Sequence, residues 1–328
     1  MPKVNLLNDA LECALRGDFI NAESFIDMAL LLNANDNRAK FNKGWYELAK
    51  GNLNHGMRLI ACGRNENVFG SPPPSGMPLW DGQDLTGKTV LLNLEGGLGD
   101  QICNARFATH FAGLGAAVVL GGAAELAATL MQIDGVIAYA ESTCAGGVYH
   151  DYWVPAMSAP LLLGLEYDGL SGKPYLPCAD RVRGDVPRVG IRWAGNPAFE
   201  HEQHRSFNPQ PLFDLLGVEL VSLQKDSDVF IPDHIEQPDL SSWQDTRAVI
   251  ESLDLVITSC TSVAHMAAAM GKPTWIIVPI LPYYLWALPG ELSPWYESVK
   301  LFRQTKQSCW DDVFKQVSGA LDSYLIER

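Results

Sequence analysis

The sequence is short of positive charge, of paired cysteines and of long apolar runs. Its 328 residues carry 24 lysines and arginines against 38 aspartates and glutamates, a formal net charge of −14. A surface that acidic repels nucleic-acid backbones and anionic membranes, so no nucleic-acid partner is expected. An anionic small substrate would need a locally basic pocket. The seven cysteines (13, 62, 103, 144, 178, 260 and 309) are scattered, odd in number and form no C-x-x-C pair. Neither a zinc site nor a disulfide framework follows, which suits a reducing cytoplasm. The opening "MPKVNLLNDALECALRGDF" lacks the apolar core and small-residue cleavage site of a signal peptide. The nearest approach to a membrane span, "PTWIIVPILPYYLWALPG", is broken by prolines 273, 279, 282 and 289. A cytoplasmic protein with no membrane span is the expectation. Hydrophobic residues at 47% and charged residues at 19% are globular composition, in a chain long enough for two domains.

Residues 1–66 read as helical and carry an internal echo. "RGDF" at Arg16–Phe19 is answered by "KGNL" at Lys50–Leu53, and Gly17 to Gly51 is 34 residues, the period of a tetratricopeptide repeat. Gly17, Asp18, Phe19, Ala22, Ala29 and Leu30 stand where that repeat places its packing residues. About one and a half repeats cannot stand alone, so the segment should pack on the rest of the chain. It is either a surface for a protein partner or a helical cap. Residues 67–78 hold three consecutive prolines and read as an extended linker.

Beyond the linker, strand and helix alternate. "KTVLLNLE", "AAVVLGG" and "GVIAYA" read as strands, with helices through about Gly113, at "AELAATLMQI" and at "MSAPLLLGL". The alternation breaks over 171–187 and resumes. "RVGIRWAG", "VELVSLQK", "DLVITS" and "PTWIIVP" are strands, while "PQPLFDLLG", "DTRAVIESL" and "TSVAHMAAAMG" are helices. "WDDVFKQVSGALDSYL" is an amphipathic tail helix with Val313, Phe314, Val317, Leu321 and Leu325 along one side. Continuous apolar strands joined to helices by short Gly-rich turns mean parallel sheets. The expected organisation is a TPR-like segment (1–66), the linker (67–78), two Rossmann-like domains (79–180 and 181–309) facing a cleft, and a terminal helix (310–328).

Three familiar motifs fail on context. "GQDLTGKT" at Gly82–Thr89 matches the P-loop pattern, but a strand follows it where a P-loop needs a helix N-terminus. "GLGDQI" at Gly97–Ile102 lacks the third glycine of a dinucleotide fingerprint, and no acid ends "AAVVLGG" to hold a ribose. Asp226–Asp228, "DSD", imitates a metal-binding D-x-D, but a polar turn after Lys225 is its commoner origin. No metal and no cofactor is expected.

Taken in order, "LWDGQDLTGKTVLLNLEGGLGDQI", "VGIRWAGNP", "HRSF", "SLQK", "DTRAVIESLDLVITSCTSVAHMAAAMGKPTWIIVP" and "SPWYESVKLFRQ" resemble a family. It is the bacterial tetratricopeptide-repeat glycosyltransferases related to heptosyltransferases (glycosyltransferase family 9), and more distantly O-GlcNAc transferase. The likeness spans roughly residues 79–315. It implies an α/β GT-B fold, an acceptor side on the N-terminal domain and a nucleotide-sugar, bound as substrate, on the C-terminal one.

The residues agree with that implication. A departing nucleoside diphosphate gains negative charge. Thr261 and Ser262, where a strand ends and a helix opens, offer hydroxyls and helix-end amides as an anion site. Arg205 and Lys225 can bring positive charge from neighbouring strand ends; Arg192 and Asn196 flank the "WAGNP" turn and are expected to face the cleft, and Gln224 is expected with them on the donor side. His265, one turn into the helix, either faces the phosphates, as the motif implies, or is a core histidine. Asp100, in the turn that begins with Gly97 and Gly99, is implied as the general base, with a helix cap as its alternative. The chain departs from the family at Phe199, Glu202 and Gln203, which replace His, Asp and Arg. It departs again at Cys260 in place of an acid, and at Leu285 in place of the arginine of "DWRW". These departures set two readings side by side, an active transferase and a non-catalytic relative that binds sugar nucleotide or a protein.

Overall fold

The computed structural model describes residues 5–74, 76–179, 184–199, 202–225 and 228–327. Four helices come first: α1 (Leu6–Leu15), α2 (Phe19–Leu32), α3 (Asn37–Ala49) and α4 (Leu53–Ile60). Asn5, Asp18 and Asp36 precede the first three, and each side chain accepts an amide three residues on, which satisfies a donor the helix cannot. Gly17 and Gly51 take φ of 80° and 92°, a region other residues enter at a cost. Each turns the chain so that α1 packs on α2 and α3 on α4. The 34-residue spacing is thus the distance between equivalent turns of two helical hairpins. Ala10, Ala14, Ala22, Ile26 and Tyr46 form their core, with Phe19 stacked on Trp45 at 5.5 Å.

The first α/β sheet is fully parallel. It contains β1 (Thr89–Asn93), β2 (Ala117–Gly122), β3 (Val136–Glu141) and β4 (Tyr152–Pro155) in the order β3-β2-β1-β4. Between β1 and β2 run α5 (Leu98–Ala105) and α6 (Phe107–Gly113). Single turns α7 (Ala127–Leu130) and α8 (Ala159–Leu162) follow β2 and β4. The strand β4 had no counterpart in the expected series. Four residues at a sheet edge, half of them aromatic, are too few to show a period. As expected, Thr89 starts β1 and no helix follows the P-loop-like stretch.

The second sheet contains β5 (Arg188–Arg192), β6 (Glu219–Ser222), β7 (Leu255–Ser259), β8 (Thr274–Val278), β9 (Leu292–Ser293) and β10 (Tyr296–Arg303). Their order is β6-β5-β7-β8-β10-β9, parallel except for β9. The helices are α9 (Glu202–Arg205), α10 (Gln210–Phe213), α11 (Trp243–Glu251), α12 (Ser262–Ala269) and α13 (Asp311–Glu327). Val189, Ile191, Leu220, Leu255, Ile257 and Trp275 pack against Val313, Phe314, Val317 and Leu321 of α13, the stripe read from the sequence. All five residues of β7 and all five of β8 are buried, which is why their sequences are continuous apolar runs.

The chain divides into two compact units. Unit 1 runs to Ser171 and takes in Leu281–Pro289; unit 2 is Gly172–Ile280 together with the chain from Gly290 onward. Residues 281–289, expected with the C-terminal domain, therefore cluster with the helices and the first sheet. Trp45 Nε1 donates to the Pro282 carbonyl at 2.9 Å, and Tyr284 lies edge-on to Phe69 at 5.9 Å. Unit 1 thus joins an all-α segment to a parallel α/β sheet, and unit 2 is a second parallel α/β unit, the composition of a GT-B fold. Among the described residues no helix is long and apolar enough to cross a membrane.

Candidate functional site

In a parallel sheet, ligands bind beyond the carboxyl ends of strands where the order reverses. In unit 2 that point is between β5 and β7. Three loops meet there: 193–196 after β5, 223–225 after β6, and 260–262 after β7.

Side chains expected to hold a ligand partly hold these loops instead. Arg192 donates from Nε to the Ala194 carbonyl at 3.0 Å and from Nη1 to the Leu223 carbonyl at 2.8 Å. Gln224, 9% exposed, accepts the amides of Trp193 and Ala194 at 3.3 and 3.1 Å and donates to the Lys225 carbonyl. Between them they fasten the ends of β5 and β6 together. Asn196 is exposed and closes the next turn by accepting the Ala198 amide at 3.0 Å.

The cation that reaches the end of β7 is Arg205. Its Nη1 donates to the Cys260 carbonyl at 2.8 Å, and its Nε to Glu202 at 2.6 Å. The ring of Phe199 lies 4.6 Å from the guanidinium, a cation–π contact. Thr261 is the N-cap of α12 in extended backbone, and no side chain caps that helix. Arg205, through the Cys260 carbonyl, thus stands at the strand end where Thr261, 4% exposed, and Ser262 open α12. Burial pushes the Cys260 thiol up, against the pull of Arg205.

Two residues of the expected set lie apart. Lys225 is exposed, and its Nζ reaches the Ser241 carbonyl at 3.5 Å. His265 is 5% exposed, and its Nδ1 lies 2.9 Å from the Tyr296 hydroxyl. The ring thus ties α12 to β10. The Asp226–Asp228 motif falls in part on residues outside the described ones. Among the described residues no three His, Cys, Asp or Glu side chains are grouped to hold a metal ion.

No family model matches the chain. It is 25% identical over 290 residues to Protein FlbA of Caulobacter vibrioides, over 75% of this chain and 48% of that protein. The chain therefore spans about half the length of that relative. Among solved structures, a glycosyl transferase family 9 protein of Veillonella parvula superposes with a TM-score of 0.55 at 10% identity. That match covers 76% of this chain and all of the other. The ADP-heptose LPS heptosyltransferase II of E. coli gives 0.50 at 13%, over 73% of this chain and 99% of that one. The fold is that of the family 9 glycosyltransferases.

Within the family 9 fold the first sheet carries the loop of Asp100. Gly97 is the N-cap of α5, Gly99 lies in its first turn, and Asp100 Oδ2 accepts the Gly97 amide at 2.9 Å. Asp100, at the third position of α5, therefore satisfies the amide of the N-cap residue rather than being the N-cap itself. The sequence reading missed its neighbours. Tyr283, from the 281–289 segment, donates its hydroxyl to Asp100. Desolvation first, and the Asp100 charge second, hold that phenol protonated well above its ordinary range, although 36% of the residue is exposed. Burial and the same carboxylate act likewise on Tyr284, which bonds Asn104. The contact joins residues some 180 positions apart, so no local spacing could announce it.

Glu95 was missed as well, though an acid ending the apolar run "LLNLE" was a signal. It sits at the switch point of unit 1, between β1 and β4, and is 1% exposed. Arg64 binds it through two nitrogens at 2.6 and 2.9 Å, and the amides of Ser71 and Met157 bind it at 2.7 and 3.2 Å. Arg64 also donates to Ser158 Oγ at 3.0 Å, which fastens the helical segment and the proline stretch to the sheet.

Proposed function

We propose that the chain is a glycosyltransferase that moves a sugar from a nucleotide-sugar to an acceptor hydroxyl, inverting and without a metal. The observation that carries this reading is Arg205 anchored on the Cys260 carbonyl beside the uncapped end of α12, at the switch point of a family 9 fold. The acceptor oxygen passes its proton to Asp100 and attacks the anomeric carbon as the bond to the diphosphate breaks. The leaving diphosphate gains charge, which Arg205 and the helix-end amides are suited to receive. In this reading Arg192 and Gln224 position the loops, and Asp100 is held by the Gly97 amide and the Tyr283 hydroxyl.

One observation favours a second reading, a non-catalytic relative that binds sugar nucleotide or a protein partner. Arg205 is already paired with Glu202 and covered by Phe199. A panel of UDP-, GDP- and ADP-sugars, followed by thermal shift and by release of nucleoside diphosphate, separates the two. The expected result is stabilisation and release with one donor, and a loss of about 10²–10⁴-fold in Asp100→Asn with binding retained. Binding without release or transfer would favour the second reading. Failure to bind any nucleotide would remove the donor-site assignment.

A further inference from the structure

Glu202 has no part in the reaction above, yet it is 9% exposed and bonded on both oxygens. One oxygen accepts the Gly195 amide and the Ser206 hydroxyl; the other accepts Arg205 Nε at 2.6 Å. A backbone amide, a hydroxyl and a guanidinium converging on one oxyanion are the donor set proteins use for phosphate. Here a carboxylate fills it. The loop after β5 is shaped to let the pair close. A Cβ on Gly195 would stand 2.4 Å from Arg205 Nη2 and 2.8 Å from Glu202 Oε2, so any larger residue would push them off. Through Arg205 this anion is tied to the Cys260 carbonyl, one residue before the cap of α12.

We propose that Glu202 is a resident anion in the phosphate pocket of unit 2, displaced from Arg205 and the Gly195 amide by an incoming diphosphate. The proposal rests on the donor-site reading. Two consequences follow from charge alone. The carboxylate keeps a half-buried guanidinium neutralised, which removes the cost of an unpaired cation. It also sets a threshold for ligands. A monoanion offers these donors no more than Glu202 already supplies, whereas a diphosphate brings two phosphoryl groups and gains the end of α12 as well. Nucleotide affinity is then the difference between two anions competing for one set of donors.

Calorimetric titration of the full chain and of Glu202→Gln with ADP, GDP, UDP and inorganic pyrophosphate tests this. Glutamine keeps the shape and removes the charge. The expected result is a Kd roughly tenfold lower in Glu202→Gln for pyrophosphate and for whichever nucleotide binds, with Glu202→Asp close to the parent. A folded Glu202→Gln that binds equally or more weakly overturns the proposal. Should that variant fail to fold, Ser206→Ala loosens the same carboxylate and is expected to tighten binding by a smaller factor, roughly threefold. An unchanged or weaker Kd there overturns the proposal too. Tighter pyrophosphate with no nucleotide binding in either protein upholds the resident anion and sinks the nucleotide-sugar reading. Silence towards all four ligands in both proteins overturns the two together.

Discussion

The two sheets end in opposite ways at corresponding places. At the switch point of unit 1, Glu95 is sealed: two nitrogens of Arg64 and two backbone amides take its oxygens, and it is 1% exposed. At the switch point of unit 2, Arg205 stands at a helix end that no side chain caps, paired with a carboxylate three residues away. The closed end is cross-linked by a helical segment that begins the chain; the other keeps its donors on short loops. Similar topology thus yields a fastening in one unit and, in the reading proposed above, an anion site in the other. What decides between them is whether a charged side chain from another segment is built in to complete the set.

Breaking the closed end should have the largest effect. Glu95→Ala leaves Arg64 without its counter-ion and two amides without acceptors. It is expected to cost about 3–5 kcal/mol in urea unfolding, nearer the lower figure because Arg64 keeps some contact with solvent. A loss below roughly 1 kcal/mol would show that the pair does not hold the helices to the sheet. At the other end, Arg205→Ala should weaken nucleoside diphosphate binding roughly 10- to 100-fold by calorimetry, as expected for a charge-assisted pair, and should also lower the melting temperature, because Glu202 is left buried without its counter-ion. Equal binding would remove Arg205 from the site.

Smaller effects sharpen the contrast further. The Asp100 charge raises the phenol of Tyr283, so Asp100→Asn should let that tyrosine ionise at lower pH. A spectrophotometric titration with Tyr283→Phe as the reference would detect it, and coincident curves for parent and Asp100→Asn would refute the contact. Last, Cys260 has its thiol pushed up by burial and should stay unalkylated by iodoacetamide at pH 8, while exposed Cys144 is labelled. Peptide mass spectrometry reads both, and labelling of Cys260 at the rate of Cys144 would show that the end of β7 opens.

Much of the fold was legible. The runs "VLLNL", "VVLGG", "DLVITS" and "WIIV" are the buried strands β1, β2, β7 and β8, because a strand covered on both faces needs no polar residue. The turns at Gly17 and Gly51 and the stripe on α13 also followed from spacing. Less could be read of the short pieces. "MSAPLLLGL" and "PQPLFDLLG", expected as helices, shrink to single turns that begin around a proline and have ended by Gly164 and Gly217. The alternation in β10 passed unnoticed as a strand. At the candidate site, motif and position pointed to Arg205, Thr261 and Ser262, and the structure puts Arg205 on the Cys260 carbonyl next to the start of α12. Arg192 and Gln224 were expected beside a ligand and spend their hydrogen bonds on the loops.

By itself the sequence determined the local order: which stretches form strands, where helices begin and stop, and that two parallel sheets follow a pair of helical hairpins. These follow from periodicity, caps and glycines, which act within a few residues. Only the tertiary structure decided that residues 281–289 leave β8 for unit 1, that Arg64 closes on Glu95, and that Glu202 lies against Gly195. Each of these depends on where a distant or irregular segment returns. The free energy that selects it comes from desolvated charge and packing between segments, for which no local pattern in the chain provides a sign.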